Sequence, residues 1–261
     1  MPKQTEPEWA IETHGLTRRF GEQMAVDGID LRVARGSFYG FLGENGAGKS
    51  TTISMLTGLL VPSAGSMRVL GRPAALEDAE LKRRIGVVPD GLLLFDRLNG
   101  REHLVFVARL YGLSRAEAAG RADELLGVME LADDARKLVA DYSFGMRKKL
   151  ALAAALIHGP ELLFLDEPFE GIDAVAKASL TALLADLVKR RGLTVFLTSH
   201  VLEVVERLCD HVGIIHRGRL VAQGSLADVV HAVPAAQTLT DAFVALVGEG
   251  RGGTRALSFL S

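Results

Sequence analysis

A single cysteine, Cys209, occurs in 261 residues, which excludes an intrachain disulfide framework and points to a reducing compartment. Leu202, Val205 and Leu208 precede it at helical spacing, so the sequence places Cys209 on a buried helix face. No apolar run reaches the roughly 18 residues that a bilayer-spanning helix needs. The opening residues, MPKQTEPEWA, hold no apolar signal-peptide core. A role at a membrane would therefore depend on another chain. No excess of either charge is present: the formal net charge is −2, which gives no global attraction for nucleic acid or anionic lipid. Internal repeats and long low-complexity tracts are also missing.

What is there is a globular composition, 48% hydrophobic and 24% charged, in a chain long enough for one large domain or two small ones. Residues 10–41 alternate short apolar runs with turn residues and read as antiparallel strands leading into a buried strand, SFYGFL. PSAGSMRVLGRP gives a turn, a short strand and another turn. From about Asn99 to Leu138 the pattern turns helical, as in REHLVFVARLYGL. LLFLD and LTVFLTSH are short continuous apolar runs flanking the helix AKASLTALLADLVKRR, as expected for parallel strands buried on both faces in a βαβ unit. VGIIHRGRLVAQGS reads as a terminal hairpin, followed by short helices and a glycine-rich end expected to be mobile.

Two stretches carry chemistry. Gly43-Glu44-Asn45-Gly46-Ala47-Gly48-Lys49-Ser50, followed by Thr51, fits G-x-x-x-x-G-K-[ST]. Its glycines let successive N–H groups converge on phosphate oxygens. Lys49 can reach the outer phosphates, Ser50 can place its hydroxyl on Mg²⁺, and the following helix adds its positive end. Further on, an apolar strand ends in Asp166-Glu167-Pro168. A carboxylate there can hold the Mg²⁺ shell, which assigns Asp166, and Glu167 stands where a general base could take a proton from water. A third stretch poses a question. Ser143-Phe144-Gly145-Met146-Arg147-Lys148-Lys149 opens an alanine- and leucine-rich helix with three cations in what reads as its first turn, where the helix dipole repels them.

With Ser143, Phe144, Gly145 and Met146 lying between the two phosphate motifs, the chain resembles the nucleotide-binding subunit of an ATP-binding cassette (ABC) transporter, from Ala10 to Gly224. The resemblance implies an α/β fold: a P-loop NTPase core with a mixed central sheet, an antiparallel β subdomain and a helical signature subdomain. Core and β subdomain would take about 10–98 and 160–225, the helical part about 99–158, and C-terminal helices and tail about 226–261. It implies a Mg²⁺-dependent ATPase. Phe20 resembles the aromatic that stacks on adenine. Thr198-Ser199-His200 resembles the strand end that carries the switch histidine, with His200 able to bond the γ-phosphate. Asp173 resembles the residue that crosses a dimer interface toward the partner's phosphate loop, with an exposed helix cap as the lesser reading. Ser143, Gly145 and Met146 would cover a partner's ATP, so the anion before the helix would be that γ-phosphate. The three cations would then face water or a partner.

Two positions depart from the common family pattern. Asp90 stands after IGVVP where glutamine is usual. It can reach Mg²⁺ and the attacking water, yet adds negative charge beside Asp166, Glu167 and ATP. Two unit charges about 4 Å apart interact by about 4 kcal/mol at an effective dielectric of 20, so a stronger Mg²⁺ dependence is expected, or a conformation that holds Asp90 away until a dimer closes. The loop reads also as a contact for the transporter partner with a smaller catalytic share. Phe144 stands inside the Tyr142-Ser143-Phe144-Gly145-Met146 form of the signature, a form similar to that of bacterial exporters of drugs, peptide antibiotics and surface polymers. The implied partners are a second ATPase subunit, identical or different, and a separate polytopic permease, with the chain peripheral on the cytoplasmic face of a bacterial membrane. No nucleic acid is expected. GLLLFDRLNGREHL corresponds to the groove that receives a coupling helix, and reads also as buried core. Two alternatives stay open: a catalytically weak or regulatory cassette, and a soluble ABC protein outside transport.

Overall fold

In a computed structural model the described residues are 9–74 and 78–248; the glycine-rich end lies outside them. The chain opens with β1 (Trp9–Phe20), β2 (Gln23–Ile29) and β3 (Arg32–Ala34), then β4 (Phe38–Leu42) and α1 (Lys49–Leu56). β5 (Ala64–Val69), β6 (Arg72–Pro73), α2 (Ala79–Arg84) and β7 (Ile85–Val88) follow. Three helices come next, α3 (Gly100–Leu110), α4 (Arg115–Val128) and α5 (Phe144–Leu156). The chain continues through β8 (Leu162–Asp166), α6 (Ala174–Arg191), β9 (Thr194–Ser199) and α7 (Leu202–Leu208). It ends in the hairpin β10 (His211–His216) and β11 (Arg219–Ser225), then α8 (Leu226–His231) and α9 (Leu239–Gly248).

The apolar runs that lack alternation form the central sheet, ordered β11-β10-β4-β9-β8-β7. β10, β4, β9, β8 and β7 are parallel, and β11 joins antiparallel at one edge. Every residue of β4, β8 and β9 is buried, because each strand feeds two cores. Leu42, Leu163, Leu165, Val195 and Leu197 face one core with α3–α6. Tyr39, Phe41, Leu162, Phe164 and Phe196 face the other with α1 and the antiparallel sheet. There Phe196 packs on Tyr39, Phe41 and Phe164 with ring centroids 5.3–5.7 Å apart. The second sheet runs β2-β1-β5-β6 with β3 also on β1.

The helices begin where local chemistry permits. Asn99 with Glu102, and Ser114 with Glu117, form reciprocal capping boxes at the starts of α3 and α4, satisfying N–H groups the helix itself cannot. One expectation needs correction: Cys209 is buried, but it terminates α7 in an extended conformation instead of lying on its face. Burial raises its thiol pKa far above the ordinary range. Because β9 lies between β4 and β8, the carboxyl ends of three neighbouring strands open together. Leu42 pairs with Ser199, and Asp166 with Thr198. Ligand sites of open α/β sheets form outside such strand ends.

Candidate functional site: a phosphate loop and a strained carboxylate

β4 delivers the chain into the loop 43–48, which wraps tightly before α1 starts at Lys49. At Gly43 an added Cβ would lie 2.5 Å from the Ile215 carbonyl. At Gly48, with φ +111°, it would lie 2.5 Å from the Ala25 carbonyl. Only glycine fits either place. Lys49 is buried, and its Nζ donates to the carbonyls of Gly43 (2.8 Å) and Glu44 (3.2 Å). The cation is thereby folded back over the loop, 3.3 Å from Glu167 Oε1.

β8 ends at Asp166, which is buried and accepts a 2.5 Å hydrogen bond from the Thr198 hydroxyl. Glu167 follows in a left-handed conformation, φ +48°, costly for a residue with a Cβ. Several contacts hold it there. Its N–H donates to Thr198 Oγ1 (3.1 Å), and its Oε2 accepts from His200 Nδ1–H (3.0 Å) and the His200 N–H (3.3 Å). Its Oε1 is buried and, apart from the ion pair with Lys49, has no hydrogen-bond donor. Such an oxygen can accept a proton from a water placed beside it.

Phe20, Gln23, Ala25, Asn45, Gly46, Gly48, Lys49, Ser50, Thr51, Asp90, Glu167 and Glu170 line one cavity of about 530 Å³. That size suits a nucleotide-sized ligand. Phe20 is 46% exposed, so it is not the core phenylalanine that its short apolar context would also allow. Arg18 lies over the ring, 4.5 Å from the centroid. Arg18 and Glu170 gave no signal in the sequence, and Thr198 only one as part of the strand end before His200, since each matters through a neighbour brought by the fold. No three His, Cys, Asp or Glu side chains cluster closely enough to hold a metal by themselves among the described residues. The Ser50 hydroxyl and the Asp166 carboxylate are hard oxygen donors, the kind that Mg²⁺ takes alongside phosphate and water.

The signature residues lie elsewhere. Ser143 caps α5, its Oγ accepting from the Met146 N–H (3.2 Å), and none of Ser143, Gly145 and Met146 lines the cavity. α5 starts at Phe144, so Arg147, Lys148 and Lys149 sit one turn in, past the strongest dipole repulsion. Of the three, only Lys148 is turned away from the surface. Arg147 pairs with Asp96 (2.7 Å), Lys149 with Glu130 (2.7 Å), and Lys148 is buried. Asp173 caps α6, accepting from the N–H groups of Val175 and Ala176 at 2.9 Å. Those bonds hold its carboxyl below the usual range.

A family model described as "ABC transporter" matches residues 26–170. The bacitracin transport ATP-binding protein BcrA of Bacillus licheniformis is 41% identical over 213 residues, covering 82% of this chain and 69% of that one. The daunorubicin resistance ATP-binding protein DrrA3 of Streptomyces coeruleorubidus is 44% identical over 216 residues, covering 83% and 68%. A solved ATP-binding subunit of an ABC transporter superposes with a TM-score of 0.83 at 32% identity, covering 91% of this chain and 99% of that one. The chain belongs to the ABC transporter family, as an ATP-binding and ATP-hydrolysing subunit.

Proposed function

We propose that this subunit hydrolyses MgATP in a head-to-tail dimer and powers export through a separate membrane permease. The observation that carries the dimer is the one-sided cavity. The phosphate loop, Phe20, Asp90 and Glu167 line it, while Ser143 and Gly145 present a helix N-terminus at another place on the surface. A helix N-terminus attracts phosphate, and a second subunit turned head to tail would bring its own over the γ-phosphate. Asp173, exposed and ionised, lies two residues after Gly171, which packs against Phe144 at the start of α5, and would reach toward the partner.

In the chemical step, Glu167 takes a proton from water as the water oxygen attacks the γ-phosphorus. The bond to the β–γ bridging oxygen breaks, ADP leaves, and inorganic phosphate forms. Lys49 turns from the loop carbonyls to the phosphates, and His200 holds Glu167 and bonds the γ-phosphate. Phe20 gives the adenine a flat face. Ser50, Asp166 and Asp90 would hold Mg²⁺, which would supply charge neutralisation at the phosphates.

Export is supported by the bacitracin-transport and daunorubicin-resistance relatives. Coupling is supported by a cavity of about 370 Å³ lined by Leu92, Leu93, Leu94, Phe95, Val107 and others. Leu93 is 81% exposed and Phe95 51%, while Leu92 is buried, so the segment is half core and half open groove, suited to an apolar permease helix. No described helix is long and apolar enough to cross a membrane. Gel filtration of E167Q with MgATP tests the dimer: dimers are expected, and S143R in the same background should remain monomeric. Dimers formed regardless of S143R would overturn the arrangement. Copurification with ribosomes, and not with a polytopic membrane protein, would overturn the transport role.

A further inference from the structure

We propose that Lys148 is a positioning residue for Glu167 of its own chain. One stretch of α5 then holds both the surface offered to a partner's nucleotide and a grip on the base acting at its own. The inference rests on the proposed roles of Glu167 and Ser143.

The three consecutive cations divide by direction. Arg147 and Lys149 point outward to Asp96 and Glu130. Lys148 points inward, is 4% exposed, and its Nζ donates to the Glu167 carbonyl at 2.7 Å. Burial of an ammonium group is costly unless it is compensated. Here burial lowers the Lys148 pKa, against the opposing pull of the Glu170, Asp90 and Glu167 carboxylates. All three line the nucleotide cavity. Among the described residues, Lys148 and Lys49 are thus two buried cations that share the catalytic carboxylate's surroundings, Lys49 at its side chain and Lys148 at its backbone.

What it holds is a peptide in an unfavourable conformation. The Glu167 N–H is fixed from β9 by Thr198, its side chain by His200 and Lys49, and its carbonyl by Lys148. A left-handed non-glycine residue persists only when its surroundings over-determine it. On the carbonyl side Lys148 gives the shorter contact (2.7 Å) beside a 3.4 Å bond from the Glu170 N–H, and it comes from a different element than the others. Phe144 extends the same grip. One helical turn before Lys148, its ring lies 5.2 Å from Nζ, a cation–π contact between i and i+4 neighbours. The ring covers Gly171: an added Cβ there would meet Phe144 Cε1 at 2.7 Å. Phe144 therefore seats the start of α5 on the loop that follows Glu167. This accounts for the one signature residue that phosphate recognition leaves unexplained. Movement of α5 on meeting the partner's nucleotide would be felt directly at Glu167, linking the two ATP sites of a dimer.

K148M, which keeps the stem and removes the donor, tests this in the full chain. We expect kcat to fall at least tenfold while the KM for ATP changes less than about threefold. The decisive reading is non-additivity. Single-turnover release of labelled phosphate should slow at least tenfold on K148M in wild type, and by less than twofold in the E167Q background, where no base remains to be positioned. An equal loss in both backgrounds, or an unchanged kcat, would overturn the inference. Thermal unfolding checks that K148M is folded; if it is not, K148Q is read in the same way. E167Q with wild-type turnover would overturn the proposed function itself, whereas an inactive E167Q beside a fully active K148M would overturn this inference alone.

Discussion

At the scale of single residues the site is a contest of charges at close quarters. Lys49 faces Glu167 at 3.3 Å, and Asp90 enters the same cavity with Glu167 and Glu170. ATP would add further negative charge there. An aspartate in place of glutamine at position 90 should make turnover depend more strongly on Mg²⁺, whose charge offsets the added repulsion. D90Q is predicted to raise the half-maximal Mg²⁺ several-fold in a steady-state ATPase titration, because a neutral amide attracts the cation less than a carboxylate, and an unchanged Mg²⁺ response would remove Asp90 from the site. The phosphate loop was legible because its chemistry lies in consecutive backbone groups. Asp166 and Glu167 were legible because a buried strand has to end before charge can appear. Lys148 and Phe144 were not, because their meaning depends on Glu167 and Gly171, brought to them only by tertiary packing. A cation run usually marks a solvated face, and here the middle residue turns inward.

At the scale of elements, the parallel strands were readable from uninterrupted apolar runs, and the hairpin at the end from its turn residues. Boundaries at helix ends were harder. α5 begins at its serine cap, which leaves the cations in the second turn, and α7 stops one residue before Cys209. Position 173 separates two roles at this scale. Asp173 caps α6 through two N–H groups, so D173A should cost about 1 kcal/mol in chemical denaturation. D173N, an equally good cap, should keep stability within about 0.5 kcal/mol. If D173N also keeps full ATPase, the carboxylate's charge has no part at the dimer interface. Loss of activity in a stable D173N assigns it that part.

At the scale of the whole molecule, two cores on opposite faces of one sheet hold the strand ends in register, and stability depends on groups far from ATP. His158 stacks on Tyr111 with centroids 3.7 Å apart, and its Nε2–H donates to the Ile85 carbonyl (3.0 Å). Its Nδ1 is buried without a partner, and burial pushes its pKa down to about 4. The unfolded chain binds this proton more readily than the folded one. The contribution is therefore complete above the ordinary value of about 6.5 and is lost as pH falls toward 4, by about 3 kcal/mol in all. Unfolding free energies of wild type and H158F should converge by that amount between pH 7 and pH 4. A constant difference would show that His158 does not titrate on unfolding.

The account as a whole turns on Glu167 as the base, held strained by neighbours on three elements. Single-turnover phosphate release by wild type and E167Q, beside equilibrium binding of ATP, measures it directly. The account predicts a rate at least 100-fold lower in E167Q, with ATP bound as tightly or more tightly because Lys49 loses its carboxylate partner. Equal rates, or a loss of ATP binding that explains the lower rate, would contradict it.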